Sequence, residues 1–202
     1  MYGVVIAFQD FNMFRGVFGS DWVGLENFAR IFTTSDFYTV LRNTLMLNFL
    51  TLVVGFPAPI ILALLLNEVR QLGFKRVIQT VAYLPHFLSW VIVASLVITL
   101  LSPSTGIVNQ VIKGLGFEPI HFVGHEGWWV IVYVASGIWK DAGWGTIIYL
   151  AALTAIDPNL YEAARIDGAG RLKQTWHITL PGIAPTIVVL FLLNLGRIMA
   201  VG

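Results

Sequence analysis

Cysteine is absent from this 202-residue chain, which excludes disulfide scaffolds, thiol catalysis and cysteine-ligated zinc together. Charge is scarce as well. Asp, Glu, Lys and Arg make up 11% of the residues, against about 25% in an ordinary soluble domain. A chain so poor in charge cannot coat its own surface, which argues against a soluble globular domain and against disorder. A formal net charge of +1 supplies no basic field to draw nucleic acid. The pattern Gly-x-x-x-x-Gly-Lys-[Ser/Thr] does not occur, and no glycine is followed by lysine, so the chain has no phosphate-cradling loop. What it has in quantity is apolar sequence, 57% of all residues. The expected fold class is all-α, a polytopic bundle of transmembrane helices.

A helix needs about 20 predominantly apolar residues to cross roughly 30 Å of hydrocarbon. Residues 44–66 meet that need, broken only by Asn48, Pro57 and Pro59. Residues 77–101 form a second candidate, with Pro85 and His86 near its start. Residues 128–156 are long enough but carry Lys140 and Asp141 midway, and 183–202 form a fourth run containing Asn194 and Arg197. Residues 1–8 are an apolar stub too short to cross, and the last run stops at Gly202 without a polar flank. The expectation is one transmembrane domain over 1–202, reading as a piece of a longer chain. Lys and Arg set the orientation. The short linker 67–76 holds Arg70, Lys75 and Arg76, and 157–181 holds Arg165, Arg171 and Lys173. The alternate connections are less dense in basic residues, with Arg15, Arg30 and Arg42 spread over 9–43 and Lys113 alone in 102–127. The two basic linkers are therefore expected in the cytoplasm.

The segment 157–181 reads physically as helix, turn, helix. Asp157 is a good N-cap and Pro158 suits the first helical position, where a missing N–H costs nothing. Glu162 lies early, where the helix dipole favours negative charge, and Arg165 follows at i+3. Leu160, Ala163, Ala164 and Asp167 share one face, and Gly168 can adopt the left-handed conformation that ends a helix. A second short amphipathic stretch carries Arg171 and Lys173 before Pro181 opens the next span.

The spacing Glu-Ala-Ala, three residues, Gly, nine residues, Ile-x-Leu-Pro is met at Glu162, Ala163, Ala164, Gly168, Ile178, Leu180 and Pro181. With residue frequencies of roughly 5–10% each, chance agreement is on the order of one in ten million or less. This loop resembles the EAA loop of the permeases of binding-protein-dependent ABC importers. Tyr2 to Phe11, Gly-Leu-Glu-Asn-Phe at 24–28 and Arg-Asn-Thr-Leu at 42–45 are similar to the carbohydrate-uptake group. Tyr-Leu-Pro-His-Phe-Leu-Ser-Trp at 83–90 is similar to the branch associated with oligosaccharides such as aldouronates. The resemblance implies the type I importer permease fold in a multi-pass bacterial plasma-membrane protein. It further implies a coupling helix that docks on a separate ATPase, with Glu162, Ala163 and Ala164 in the socket, Gly168 at the bend, and Arg165 and Asp167 at the rim. The partners it implies are a second permease subunit, two ATPases that bind ATP and Mg²⁺, and an extracellular solute-binding protein. The permease itself would hold no cofactor and catalyse no reaction.

Other residues carry weaker signals. Intramembrane charges often face a water-filled path, and aromatic faces stack on pyranose rings. Trp139, Lys140, Asp141, Trp144 and Tyr149, with Asn194 and Arg197, are therefore candidates for a sugar pathway. The plain reading of Lys140 is that it pairs with Asp141 or snorkels. His121, His125 and Glu126 do not follow a metal-ligand pattern and read as a solvated loop. His86, beside Pro85, reads as a partner for freed backbone groups. An ion-coupled secondary transporter would account for the intramembrane charges but not for the loop motif. An intramembrane enzyme has only the scattered histidines behind it.

Overall fold

The computed structural model describes residues 2–197, which divide into two compact units between Met46 and Leu47. The first unit contains helix α1 (Tyr2–Ile6), strand β1 (Gln9–Asp10), helix α2 (Gly16–Gly19), strand β2 (Asp21–Trp22) and helix α3 (Glu26–Thr33). The strands pair antiparallel, Gln9 opposite Trp22 and Asp10 opposite Asp21. A two-residue pair is too short to stand by itself, and an aromatic cluster supports it. Phe8 stacks on Trp22 with centroids 5.6 Å apart and meets Phe28 at 5.3 Å. Asn27 donates to the carbonyls of Ala7 and Gln9 at 3.2 and 2.9 Å. This small hairpin is the one departure from the all-helical expectation among the described residues.

Helix α4 (Ser35–Leu50), a π turn at Thr51–Gly55 and helix α5 (Pro57–Glu68) form a single helical run of 34 residues. The run starts nine positions before the expected span at 44, because the mixed polar and apolar residues 35–43 still extend the helix beyond its apolar part. Helix α6 (Leu72–Tyr83) passes into a 3₁₀ turn at Leu84–Phe87 and then stops. Helix α7 (Trp90–Leu101) leaves at 105°. The expected single span 77–101 is thus two helices joined at Leu88 and Ser89, both extended. Pro85 accounts for the change from α to 3₁₀ ahead of the break, since its ring cannot supply the N–H that a continuous α-helix needs. Ser89 caps the new start, its Oγ accepting from the Ile92 N–H at 3.4 Å. Helix α8 (Ile107–Gly114) and helix α9 (Glu126–Thr154) follow.

Helix α10 (Pro158–Ile166) and helix α11 (Arg171–Gln174) lead through a second π turn, Thr175–Thr179, into helix α12 (Leu180–Arg197). The last span was expected from 183, yet the helical run begins at Arg171 and Pro181 lies inside it. Each π turn is followed, one residue on, by a proline: Pro57 after Phe56 and Pro181 after Leu180. A proline ring clashes with the carbonyl four residues back, and those carbonyls, at Val53 and Gly55 for Pro57 and Pro59 and at His177 for Pro181, fall in the widened turns. Ser35–Glu68 and Arg171–Gly196 are long and apolar enough to cross a membrane, as is the bent pair if it counts as one span. Helix α9 has the length, at 29 residues, but Lys140 and Asp141 dilute its apolar character.

The core of the second unit lies where α5 and α12 pack on α9. Ala63, Tyr149, Leu153 and Ile183 are buried together, with Ile60, Ile156 and Ile187 against them. Small residues bring the helices close, as is usual where lipid removes the hydrophobic drive for association. Thr146 is fully buried and donates to the Ala142 carbonyl at 2.7 Å and the Pro59 carbonyl at 3.3 Å. A side chain on Gly145 would press on the Pro59 ring.

Candidate functional site

The loop between α9 and α12 takes the shape its residues call for. Asp157 accepts from the Asn159 N–H at 2.9 Å and Pro158 is the first helical residue. At the other end Gly168 has φ +75°. Its N–H donates to the Arg165 carbonyl at 3.1 Å, and the Ala169 N–H to the Ala164 carbonyl at 2.8 Å. That pair of bonds is a Schellman cap, which a non-glycine residue would enter only under strain. Glu162, Ala163, Arg165, Asp167 and Gly168 are exposed, and Ala164 is half-buried. Among the described residues neither Glu162 nor Arg165 has an ion-pair partner.

One side-chain tie holds the short helix onto the structure behind it, and a second braces the turn that follows it. The Tyr161 hydroxyl meets Thr179 Oγ1 at 3.0 Å in the π turn, and Gln174 donates to the Ala169 carbonyl at 2.7 Å. One face is fastened and the other left open. The open side is not simply polar: Ile166 is 87% exposed, Leu172 82% and Trp176 67%. Sequence reasoning passed over these three because each sits singly in a polar stretch, Ile166 and Leu172 between charges and Trp176 between Thr175 and His177. Arg171 also pairs with Glu68, the last residue of α5, at 3.1 Å, so the linkers 67–76 and 157–181 meet on one side of the unit.

The candidate pathway residues separate into three groups. Trp139 and Trp144 are about half exposed, leaving ring surface free. Tyr149 is 2% exposed in the apolar core, where no solute reaches it in this conformation. Asn194 is spent on the Leu190 carbonyl of its own helix at 2.8 Å, and the side chain of Arg197 lies outside the described residues. Lys140 and Asp141 do not pair with each other. Adjacent side chains on a helix diverge by about 100°, and each reaches a different part of His86. Lys140 Nζ donates to the His86 carbonyl at 2.7 Å, and the Asp141 carboxylate meets His86 Nδ1 at 3.0 Å. The expectation that His86 serves freed backbone groups is corrected here: its ring meets the Asp141 carboxylate, and the freed group is its own carbonyl, which Lys140 fills. His121 and His125 lie in the loop before α9, and no cluster able to hold a metal occurs among the described residues.

Residues 55–200, well over half of the chain, match the family of binding-protein-dependent transport system inner membrane components. This chain belongs to that family. Over all 202 residues it is 54% identical to the polygalacturonan/rhamnogalacturonan transport system permease protein YteP of Bacillus subtilis (strain 168), covering 63% of that protein. A crystal structure of a bacterial ABC transporter involved in import of the acidic polysaccharide alginate superposes with a TM-score of 0.90 at 44% identity. That match covers 99% of this chain and 66% of the other. A second alginate transporter structure, in complex with an alginate pentasaccharide-bound periplasmic protein, matches at TM-score 0.86 and 47% identity over 89% of this chain and 62% of the other. The chain therefore spans a little under two thirds of the length of these relatives. As an inner membrane transport component it has a reason for intramembrane helices, and the fold is the helical permease fold of an ABC importer. The loop 157–181 lies within the matched region, as do all the candidate pathway residues.

Proposed function

We propose that the whole protein is the permease subunit of an ATP-driven importer of oligosaccharides, and that α10 is the helix through which a separate ATPase drives it. The observation carrying this reading is the set of exposed apolar residues along the loop 157–181, one at the end of α10, one on α11 and one in the π turn. A loop between membrane helices that turns Ile166, Leu172 and Trp176 into water pays a solvation penalty, and such patches mark protein contacts. Glu162 and Arg165 are exposed on α10 with no ion-pair partner among the described residues, and the Schellman cap at Gly168 fixes where that helix ends. The ATPases supply ATP and Mg²⁺, a second permease completes the membrane pore, and an extracellular binding protein delivers the solute. The cytoplasm is the side of 67–76 and 157–181. The names of the relatives point to uronic-acid oligosaccharides as the solute class, with Trp139 as a ring-stacking surface along the path. An ion-coupled transporter loses its main support, since Lys140 and Asp141 are both engaged with His86.

Cysteine introduced at Ala163 in the full-length permease should crosslink to the ATPase subunit of the assembled complex. Gly168→Pro, or Glu162→Lys combined with Ala163→Glu, should abolish uptake of labelled oligouronates in vesicles with membrane insertion unchanged. Normal uptake by either variant would remove α10 from the coupling path.

A further inference from the structure

The break between α6 and α7 is gripped by one turn of α9. A helix that stops leaves its last carbonyls without partners. In the 3₁₀ turn, Pro85 O is filled by the Leu88 N–H at 3.1 Å, and the His86 carbonyl is taken by Lys140 at 2.7 Å. The same ammonium stands 5.6 Å from the ring centroid of Trp90, the first residue of α7. Lys140 therefore touches both sides of the break, the carbonyl end of one helix and the aromatic start of the next. Its residue is only 7% exposed.

Asp141 and Trp144 hold the side chain whose carbonyl Lys140 holds. With its proton on Nδ1, the His86 imidazole donates to the Asp141 carboxylate at 3.0 Å, and its face lies flat on Trp144, centroids 4.7 Å apart and planes 3° from parallel. Phe87 meets the same indole edge-on at 5.6 Å. Between these contacts Gly143 lies so close to Ala82 that a Cβ there would collide with the Ala82 carbonyl. Lys140, Asp141, Gly143 and Trp144 thus bind backbone, ring edge, helix surface and ring face at one bend. A lysine and an aspartate inside a membrane helix are each costly unless paired. Here each charge meets a partner that only the bend provides.

We propose that Lys140, Asp141 and His86 are positioning residues that lock the 105° break onto α9, making α7 and α9 move as one piece. Their polar atoms are then occupied in holding the break, and the solute is left to neighbouring surfaces. The proposal joins the reading of α10 at one point only: a push received there travels up α9 and carries α7 with it, because the break cannot flex.

The test uses the full-length permease with its partner permease in nanodiscs, bearing spin labels at Ile98→Cys on α7 and Thr154→Cys at the end of α9. One narrow distance is expected, unchanged when the ATPases and ATP are added. Lys140→Met should lose the narrow distribution, and Lys140→Arg, which keeps a donor, should restore it. His86→Leu, which spares the carbonyl but removes the ring contacts, should broaden it too, and serves if Lys140→Met does not assemble. A narrow distance persisting in both Lys140→Met and His86→Leu would overturn the clamp, as would a wild-type distance that shifts with nucleotide. Since the first measurement needs no ATPase, failure of α10 to dock would leave the clamp result standing.

Discussion

Asn109 illustrates how much one side chain can organise. It is 1% exposed, and its amide donates toward the carbonyls of Leu101, Ser102 and Ile120 at 3.0, 3.2 and 3.0 Å while its oxygen accepts from the Ile120 N–H at 2.7 Å. The end of α7, the start of α8 and the loop at residue 120 are all tied to it. Asn109→Leu is nearly isosteric but strands those groups, so it should cost about 1–3 kcal/mol of stability, the usual penalty for unsatisfied buried polar atoms. A clear drop in the thermal unfolding midpoint in detergent is the expected reading, and an unchanged midpoint would show that water replaces the amide. Nothing in the sequence marks this residue, because its partners are contributed by turns whose geometry no periodicity encodes. Gly168 is the opposite case. It was legible from the sequence because a helix stop with a left-handed residue has a local chemical signature, and the structure gives it φ +75°. His86 lies between the two. Its place beside Pro85 pointed to freed backbone groups, but the donor came from Lys140, 54 positions away.

Two glycines of α9 make a matched pair of predictions at the scale of the element. A Cβ at Gly143 would collide with the Ala82 carbonyl, whereas a Cβ at Gly137 meets nothing within 4 Å. Gly143→Ala should push α6 off α9 and cost about 1–3 kcal/mol or more, as overpacking does. Gly137→Ala should be neutral or stabilising by up to about 1 kcal/mol, the helix propensity difference. Thermal unfolding of the two variants side by side decides this, and equal midpoints would contradict the close α6–α9 packing. The existence of the helices was legible from apolar length alone. Their ends were not, because the amphipathic flanks 35–43 and 171–182 continue the helices past the apolar segments. The break at Leu88 and Ser89 was also hidden. Apolar composition runs straight through it, and proline inside a membrane helix is compatible with a mild kink as readily as with a 105° turn.

At the scale of the molecule the question is which loops share a side of the membrane. Charge density put 67–76 and 157–181 together, and the Arg171–Glu68 pair at 3.1 Å joins the same two linkers. The pair is roughly half exposed, so it contributes under about 1 kcal/mol. It reports proximity and does not enforce it; the hydrophobic packing of α5, α9 and α12 does that. Helix α9 brings the chain to this side from its opposite end, where the loop that precedes it lies. Single cysteines at Ile166 and Leu115, residues 87% and 69% exposed, should therefore show opposite access to a membrane-impermeant maleimide. In intact spheroplasts Leu115→Cys should label and Ile166→Cys should not; in inside-out vesicles the order should reverse. Labelling of both from the same side would break the topology, and with it any route by which a cytoplasmic motor could reach α10. Charge reversal adds a second check on the linkers. Glu68→Arg alone sets two like charges together, and Glu68→Arg with Arg171→Glu restores attraction, yet both should keep the same labelling pattern. The proposed orientation rests on the basic residues around them and the packed helices behind them, not on that single contact.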